Sequence, residues 1–296
     1  MKISYYPGCT LKTKAKNLEK SALASLDVLG IEYEELPRWN CCGAVYSLAD
    51  DDLLHLVAPV RDLIRVKEQG NETVLTLCSM CYNTLARAND LMKNDEVKRN
   101  TINSFMDEEP DYFGDVRVVH FLDYIRDDYG FDKLQQKIVA SLNDLKVAPY
   151  YGCTLLRPKE VALDRPDAPE LFQNFMKMLG ATPIGFSMAT ECCGSYQVLG
   201  NPDAALQVSH EIIADAAAAG AEAMVLTCPL CEFNLARRQS LMQDKYQDAA
   251  DMPVFYFSQL LALALGVPAS ECHFELNGPG MLEILKTKKL LTEAAV

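Results

Sequence analysis

Apolar positions along this chain follow two alternating rhythms. Ile3 to Tyr6 is a short apolar run of strand character, after which Leu18, Ala22, Leu26 and Leu29 fall at helical spacing and stop at Gly30. Ile31 to Leu36 is strand-like again, and Leu53 to Val66 has helical spacing. Thr73 to Leu77 is a buried-strand run, a helix is predicted from about Cys81 to Leu91, and Val116 to His120 gives a last strand with a further helical segment after it. The rhythm then starts afresh. Lys146 to Tyr150, Thr182 to Phe186, Ala223 to Thr227 and Val254 to Phe257 read as strands, and the run Ala214 to Ala223 as alanine-rich helix. Strands that alternate with helices predict a mainly parallel sheet flanked by helices, here in an α/β fold written twice. In such sheets functional groups gather at the carboxyl ends of the strands.

The second rhythm repeats the residues of the first as well as its elements. Ile3-Ser4-Tyr5-Tyr6-Pro7-Gly8-Cys9-Thr10-Leu11 matches Val147-Ala148-Pro149-Tyr150-Tyr151-Gly152-Cys153-Thr154-Leu155 at an offset of 144. Leu29-Gly30 followed by Cys41-Cys42-Gly43 matches Leu179-Gly180 followed by Cys192-Cys193-Gly194. Cys78-Ser79-Met80-Cys81 with Leu85-Ala86-Arg87 matches Cys228-Pro229-Leu230-Cys231 with Leu235-Ala236-Arg237, at an offset of 150. Three cysteine elements in one order, with their neighbours, define two homologous, pseudo-symmetric halves. The expected domains are 1–140 and 141–296, joined within residues 130–144.

Composition narrows the chemistry. The chain has 296 residues, 49% hydrophobic and 23% charged, which is ordinary for a globular protein and argues against a disordered or fibrous one. With 28 basic and 41 acidic residues its formal charge is −13, a poor surface for nucleic acid. The stretches Asp50-Asp51-Asp52 and Asp107-Glu108-Glu109 read as solvated surface or as a face for a basic partner. The longest apolar stretch, Leu260 to Val267, is too short to span a bilayer, so no transmembrane segment is expected. The unusual number is 11 cysteines. The amino terminus has no apolar signal core and the chain is long for a disulfide scaffold, so these are expected to be reduced thiols in a cytoplasmic protein.

Ten of the cysteines form two sets of five: Cys9, Cys41, Cys42, Cys78, Cys81 and Cys153, Cys192, Cys193, Cys228, Cys231. The predicted strands place all five of each set at one sheet edge. Four readings compete at this level. A structural zinc takes four ligands and leaves one over. A dithiol explains the CxxC but gives no role to Cys9 or the Cys41-Cys42 pair. Inert buried cysteines explain one or two positions. An iron–sulfur cluster uses several thiolates at once. The helices that begin near Cys81 and Cys231 would turn backbone N–H groups toward thiolate charge, and Gly43 and Gly194, with Gly8 and Gly152, would let the backbone approach closely.

The motifs Cys9-x31-Cys41-Cys42-Gly43-x34-Cys78-x2-Cys81 and Cys153-x38-Cys192-Cys193-Gly194-x33-Cys228-x2-Cys231 resemble the two cysteine-rich CCG domains in the B subunit of heterodisulfide reductase, over nearly the whole chain. Tandem domains of this kind also occur in subunits resembling those of lactate and glycolate oxidases and of thiol:fumarate reductases. The resemblance implies two noncubane 4Fe-4S clusters, each held by the five cysteines of one half, as the reactive centres between which a small disulfide is cleaved. The coenzyme M–coenzyme B heterodisulfide or an analogue is the substrate it implies. An electron relay to another enzyme or a quinone-linked module, without disulfide chemistry, is the alternative. The chain has neither a CxxCxxCxxxCP run nor a GxGxxG fingerprint, so no ferredoxin-type cluster, flavin or nicotinamide site is signalled. Electrons are therefore expected from partners, which by the resemblance are a ferredoxin-like C subunit and a flavin-bearing A subunit.

Other residues are weaker candidates. His120 ends the fourth predicted strand, where the repeat places Tyr256 or a neighbour, and either is a candidate proton donor at the strand edge. Arg87 and Arg237, matched in the helices after CxxC, are candidates for neutralising cluster charge or clamping an anionic substrate. Lys12, Lys14 and Arg157 follow the first cysteine of each half and share that reading. Cys272, in Glu271-Cys272-His273, lies outside the repeat and reads as an ordinary free cysteine, with a zinc or regulatory role beside His273 as the alternative.

Overall fold

A computed structural model describes residues 2–44, 53–278 and 280–291. As the alternation predicts, the described chain builds two four-stranded, wholly parallel sheets flanked by helices. The strands are β1 (Ile3–Tyr6), β2 (Tyr33–Glu35), β3 (Thr73–Thr76) and β4 (Arg117–His120), then β5 (Lys146–Pro149), β6 (Thr182–Pro183), β7 (Ala223–Leu226) and β8 (Val254–Tyr256). The first sheet has the order β2-β1-β3-β4 and the second repeats it as β6-β5-β7-β8. Registers also correspond: Thr76 pairs with His120 at the end of one sheet, and Leu226 with Tyr256 at the end of the other. The equivalence of His120 and Tyr256 expected from the repeat is thus observed.

The helices differ from the sequence reading in ways with local causes. The first apolar stretch splits into a turn of helix, Gly8–Leu11, and a helix, Lys16–Leu29. The break is held by the Thr10 carbonyl, which accepts the amides of Thr13, Lys14 and Ala15 at 2.8–3.1 Å. β6 ends at Pro183, which has no N–H to give and sits on an edge strand. The helix expected through the alanine run stops earlier: it spans Pro202–Ala218, the chain turns at Gly220 with φ +91°, and Ala223 already belongs to β7. A helix the apolar pattern did not predict, Glu96–Phe105, is capped by the Asp95 carboxylate, which accepts the Lys98 amide at 3.0 Å.

The halves are interlocked. Helix Lys16–Leu29 of the first packs along helix Phe257–Ala264 of the second, with Leu18, Ala22 and Leu26 fully buried. The Ser21 and Ser258 hydroxyls meet at 2.7 Å in that interface, and Ser258 also donates to the Leu18 carbonyl. From helix Ser79–Asn94, Tyr82 Oη donates to the Val161 carbonyl, and Asn83 Nδ2 to those of Thr154 and Arg157 at 2.8 and 2.7 Å. These bonds bring the carboxyl ends of both sheets to a common junction. Of the two acidic stretches, Asp50-Asp51-Asp52 lies outside the described residues. Within the other, Glu109 accepts from Arg61 and Arg65 and so serves an internal ion-pair network.

Candidate functional site

Each cysteine element is placed by a device that recurs in both halves. Cys78 and Cys228 follow β3 and β7 and cap the helices that begin at Ser79 and Pro229, and their carbonyls accept the Tyr82 and Glu232 amides at 2.9 Å. The Cys81 and Cys231 thiols therefore lie in the first turn, at the positive end of the helix dipole. The Cys-Cys segments have no regular structure and are held from β1 and β5. Tyr6 Oη donates to the Asn40 carbonyl, and Tyr150 Oη to that of Glu191, both at 2.7 Å and both just before the cysteine pair. In the first half Asp62 adds a second brace, its Oδ1 accepting the Asn40 amide at 2.7 Å. Gly8 carries Cys9 past Cys81 at φ +70°, and a Cβ there would stand 3.0 Å from Cys81 Sγ.

The sulfurs pack in contact. Cys9 and Cys41 Sγ are 3.4 Å apart, Cys42 and Cys81 3.7 Å, and Cys193 and Cys231 3.5 Å. Thiols this close cannot all ionise. Hydrogen bonds from neighbouring cysteines push the Cys42, Cys192 and Cys228 thiols down, those to Cys41 and Cys42 push Cys9 and Cys81 up, and burial adds to the rise. Only a shared cationic centre lets a full set become thiolate together. The sets also touch: Cys78 and Cys228 perturb each other across the junction, each by a side-chain hydrogen bond.

All five thiols of the first set, with Cys228 of the second, line one cavity of about 590 Å³. Ala15, Met80, Leu230 and Phe233 make much of its wall apolar, and Lys14, Glu232 and Arg237 supply charge. A second cavity of about 380 Å³ holds Cys153 and Cys192, with Met80 and Arg87 reaching in from the other half. Both volumes suit a bound cofactor or small molecule. Among the described residues, no three His, Cys, Asp or Glu stand close enough to hold a single ion. The donor set fits a group of several metal atoms better than one tetrahedral ion. Unsatisfied buried atoms point the same way. Ser79 Oγ, Tyr256 Oη and Asn234 Oδ1 have no hydrogen-bond partner, and all three belong to residues beside the cysteines.

The other predicted residues divide. Arg237 lines the larger cavity, its Nε on the buried Glu232 carboxylate at 2.9 Å and its Nη2 on the Lys14 carbonyl. Arg87 lines the smaller one, so each arginine serves the cysteines of the opposite half. Lys14 is at the larger cavity, whereas Lys12 is held away by Glu19 and Glu35. Arg157 donates to the Thr190 carbonyl and braces the second Cys-Cys segment. His120 lines neither of these two cavities. It is fully buried, its Nε2 donates to the Leu77 carbonyl and its Nδ1 accepts the Leu122 amide, and burial holds its pKa down to about 4. Such a ring is a fixed neutral tautomer, not a proton donor. Gly43 and Gly194 have φ of +71° and +87°, but a Cβ on Gly194 would strike Ala205 and one on Gly43 would approach only the His55 carbonyl. The backbone N–H groups of Gly43 and Gly194 also bear on the Cys41 and Cys192 sulfurs, where they favour the thiolate. Cys272 lies against the Pro268 carbonyl, and burial pushes its thiol up to about 12, while His273 pairs with Glu275 at the surface. The two do not form a joint site.

Sequence reasoning missed Asp62, Glu232, Asn83 and Asn234. It also overlooked the Tyr6 and Tyr150 braces, although both tyrosines stand at matched positions in the repeat.

The family model for the CCG cysteine-rich domain matches this chain twice, over residues 3–86 and 147–236. The chain is 36% identical to the 8-methylmenaquinol:fumarate reductase membrane anchor subunit of Wolinella succinogenes, over 93% of this chain and 95% of that one. It is 31% identical to the B subunit of the ferredoxin/F(420)H(2)-dependent CoB-CoM heterodisulfide reductase of Methanosarcina acetivorans, over 96% of each. The B subunit of the ferredoxin:CoB-CoM heterodisulfide reductase of Methanosarcina mazei is 30% identical, again over 96% of each. Among solved structures, a hypothetical protein from Helicobacter pylori shares the fold with a TM-score of 0.72 at 13% identity, over 93% of this chain and 51% of that one. No helix among the described residues is long and apolar enough to cross a membrane.

Proposed function

This chain belongs to the CCG cysteine-rich domain family, in the tandem form found in the B subunit of heterodisulfide reductase, and on that premise we propose that it is the disulfide-reducing subunit of an oxidoreductase complex. Residues 1–140 and 141–296 are the two domains in this reading. Cys9, Cys41, Cys42, Cys78 and Cys81 would hold one noncubane 4Fe-4S cluster, and Cys153, Cys192, Cys193, Cys228 and Cys231 the other. When bound, such clusters supply single electrons and iron sites with affinity for sulfur. The observation that carries the reading is the meeting of Cys78 and Cys228 on the wall of one cavity, which sets two sulfur-rich centres side by side at the junction of the halves.

That juxtaposition suits a two-electron substrate. Cleaving RS–SR′ takes two electrons and two protons and gives RSH and R′SH, while an iron–sulfur centre passes one electron at a time. The apolar wall built by Met80, Leu230 and Phe233 offers a hydrophobic surface to a substrate in the larger cavity, and Arg237, fixed by Glu232, offers a guanidinium to an anionic arm of that substrate. Arg87 does the same at the smaller cavity. The coenzyme M–coenzyme B heterodisulfide or an analogue is the substrate class proposed. Electrons would come from a ferredoxin-like partner and, through it, from a flavin-bearing one.

The test is re-oxidation of the anaerobically reduced protein by a panel of disulfides. Thiol release at two per disulfide supports this function. A second reading, electron relay to or from a quinone-linked partner, is favoured by the apolar wall of the larger cavity and by the name of the Wolinella relative. Re-oxidation by a menaquinone analogue and by no disulfide would establish the relay instead.

A further inference from the structure

The two sets of thiols match residue for residue, but the groups that touch their sulfurs do not. Thr84 and Asn234 occupy the same position of the repeat, three residues after the last cysteine of each set. Thr84 Oγ1 turns back onto the Met80 carbonyl of its own helix at 2.9 Å. Asn234, wholly buried, directs its amide nitrogen at Cys193 Sγ (3.5 Å) and at the Cys193 and Ser195 carbonyls (3.2 and 3.0 Å). In the first set the side-chain hydroxyl at a sulfur is that of Thr10, 3.7 Å from the exposed Cys9 Sγ. The buried amide donor therefore acts on the second set.

We infer that Asn234 is a positioning residue that makes the two centres electronically unequal, by raising the reduction potential of the centre held in the second half. The inference rests on the reading that each set holds an iron–sulfur cluster. A donor aimed at a ligating sulfur withdraws electron density and stabilises the more negative, reduced form, one of the main levers by which a protein sets such a potential. The outer pair of the first set, Cys9 and Cys41, is exposed and its counterparts Cys153 and Cys192 are half-buried, while the inner three cysteines are buried in both sets. Asn234 also ties the segment after Cys193 to the helix that carries Cys231, so it fixes the geometry of the set whose electronics it adjusts.

The test is a redox titration of the anaerobically purified full-length protein, followed by electron paramagnetic resonance, with the second-half signal assigned as the one that Cys192→Ser perturbs. Asn234→Thr installs the first half's residue, and Asn234→Asp keeps the shape of the side chain but removes the donor. Each is expected to lower the midpoint potential of the second-half signal without moving the other. Loss of the second cluster from both variants would overturn the electronic role in favour of a purely structural one. The inference is overturned if both signals shift together or if neither shifts in a protein that retains both clusters. A chain that purifies without iron and sulfide refutes the underlying reading, and this inference with it.

Discussion

Asp62→Asn should be nearly neutral for stability at pH 5 and stabilising at pH 8. Asp62 is buried, and one carboxylate oxygen accepts the Asn40 amide at 2.7 Å while the other has no partner. Burial raises its pKa from 3.8 to about 7, against a smaller opposing pull from the Asn40 hydrogen bond. A carboxyl whose folded pKa lies above its unfolded value contributes its full share of stability below about 4 and loses it as the pH rises to about 7. At roughly 1.4 kcal/mol per pH unit, the wild type gives up about 4 kcal/mol by pH 8 but only about 1.5 kcal/mol by pH 5. Asparagine keeps the acceptor for Asn40 and does not titrate. It places an NH₂ where the unpartnered oxygen stood, at a cost of about 1–2 kcal/mol. The net is near zero at pH 5 and a gain of about 2–3 kcal/mol at pH 8. Thermal melts of both proteins at pH 5, 6, 7 and 8, followed by circular dichroism, would show it. At roughly 2 °C per kcal/mol for a chain of this size, the difference in Tm should open to about 5 °C at the alkaline end. An offset that stays constant with pH, or a variant less stable at pH 8, would refute the assignment of a costly buried charge behind the first Cys-Cys segment.

Three further outcomes follow from the packing. Arg237→Leu leaves the Glu232 carboxylate buried without its partner; because Arg237 itself is a third exposed, the loss should be about 2 kcal/mol in urea denaturation, and Glu232→Gln in the same chain should recover most of it. Leu18→Ala, in the helix shared between the halves, should cost about 2–5 kcal/mol. Fluorescence of Trp39, the only tryptophan, and whole-chain circular dichroism should still melt together, since separate transitions would show that the halves fold independently. Gly8→Ala forces a Cβ to within 3.0 Å of Cys81 Sγ at a backbone angle that favours glycine, and iron content per chain should fall roughly by half, with the second set left intact.

The fold was legible because its signals are local. Apolar runs of four or five residues mark β1, β3, β5 and β7, Gly30 ends a helix, and the recurrence of Tyr-x-Gly-Cys, Cys-Cys-Gly and CxxC gives the repeat without any structure. The matched positions of the ten cysteines were legible for the same reason. What joins the sets was not. The interlocking of helix Lys16–Leu29 with Phe257–Ala264 spans some 240 residues of sequence, and no periodicity encodes it. Arg87 and Arg237 could be named as a matched pair, but a one-dimensional reading assigns each to its own half, whereas the fold crosses them. His120 shows the opposite failure. Its place at a strand end suggested chemistry, but the carboxyl end of a strand is also where the next helix begins, and the ring is consumed in joining the two. Asn234 and Glu232 were invisible because asparagine and glutamate in a helix ordinarily face water. Only burial beside the cysteines gives them a role.

The central claim is that ten cysteines at one junction hold two polynuclear iron–sulfur centres. Iron and acid-labile sulfide analysis of the anaerobically purified chain tests it most directly. Two four-iron centres predict about eight irons and eight sulfides per chain, with Cys42→Ser and Cys193→Ser each removing about half. Two zinc ions without sulfide would contradict the account.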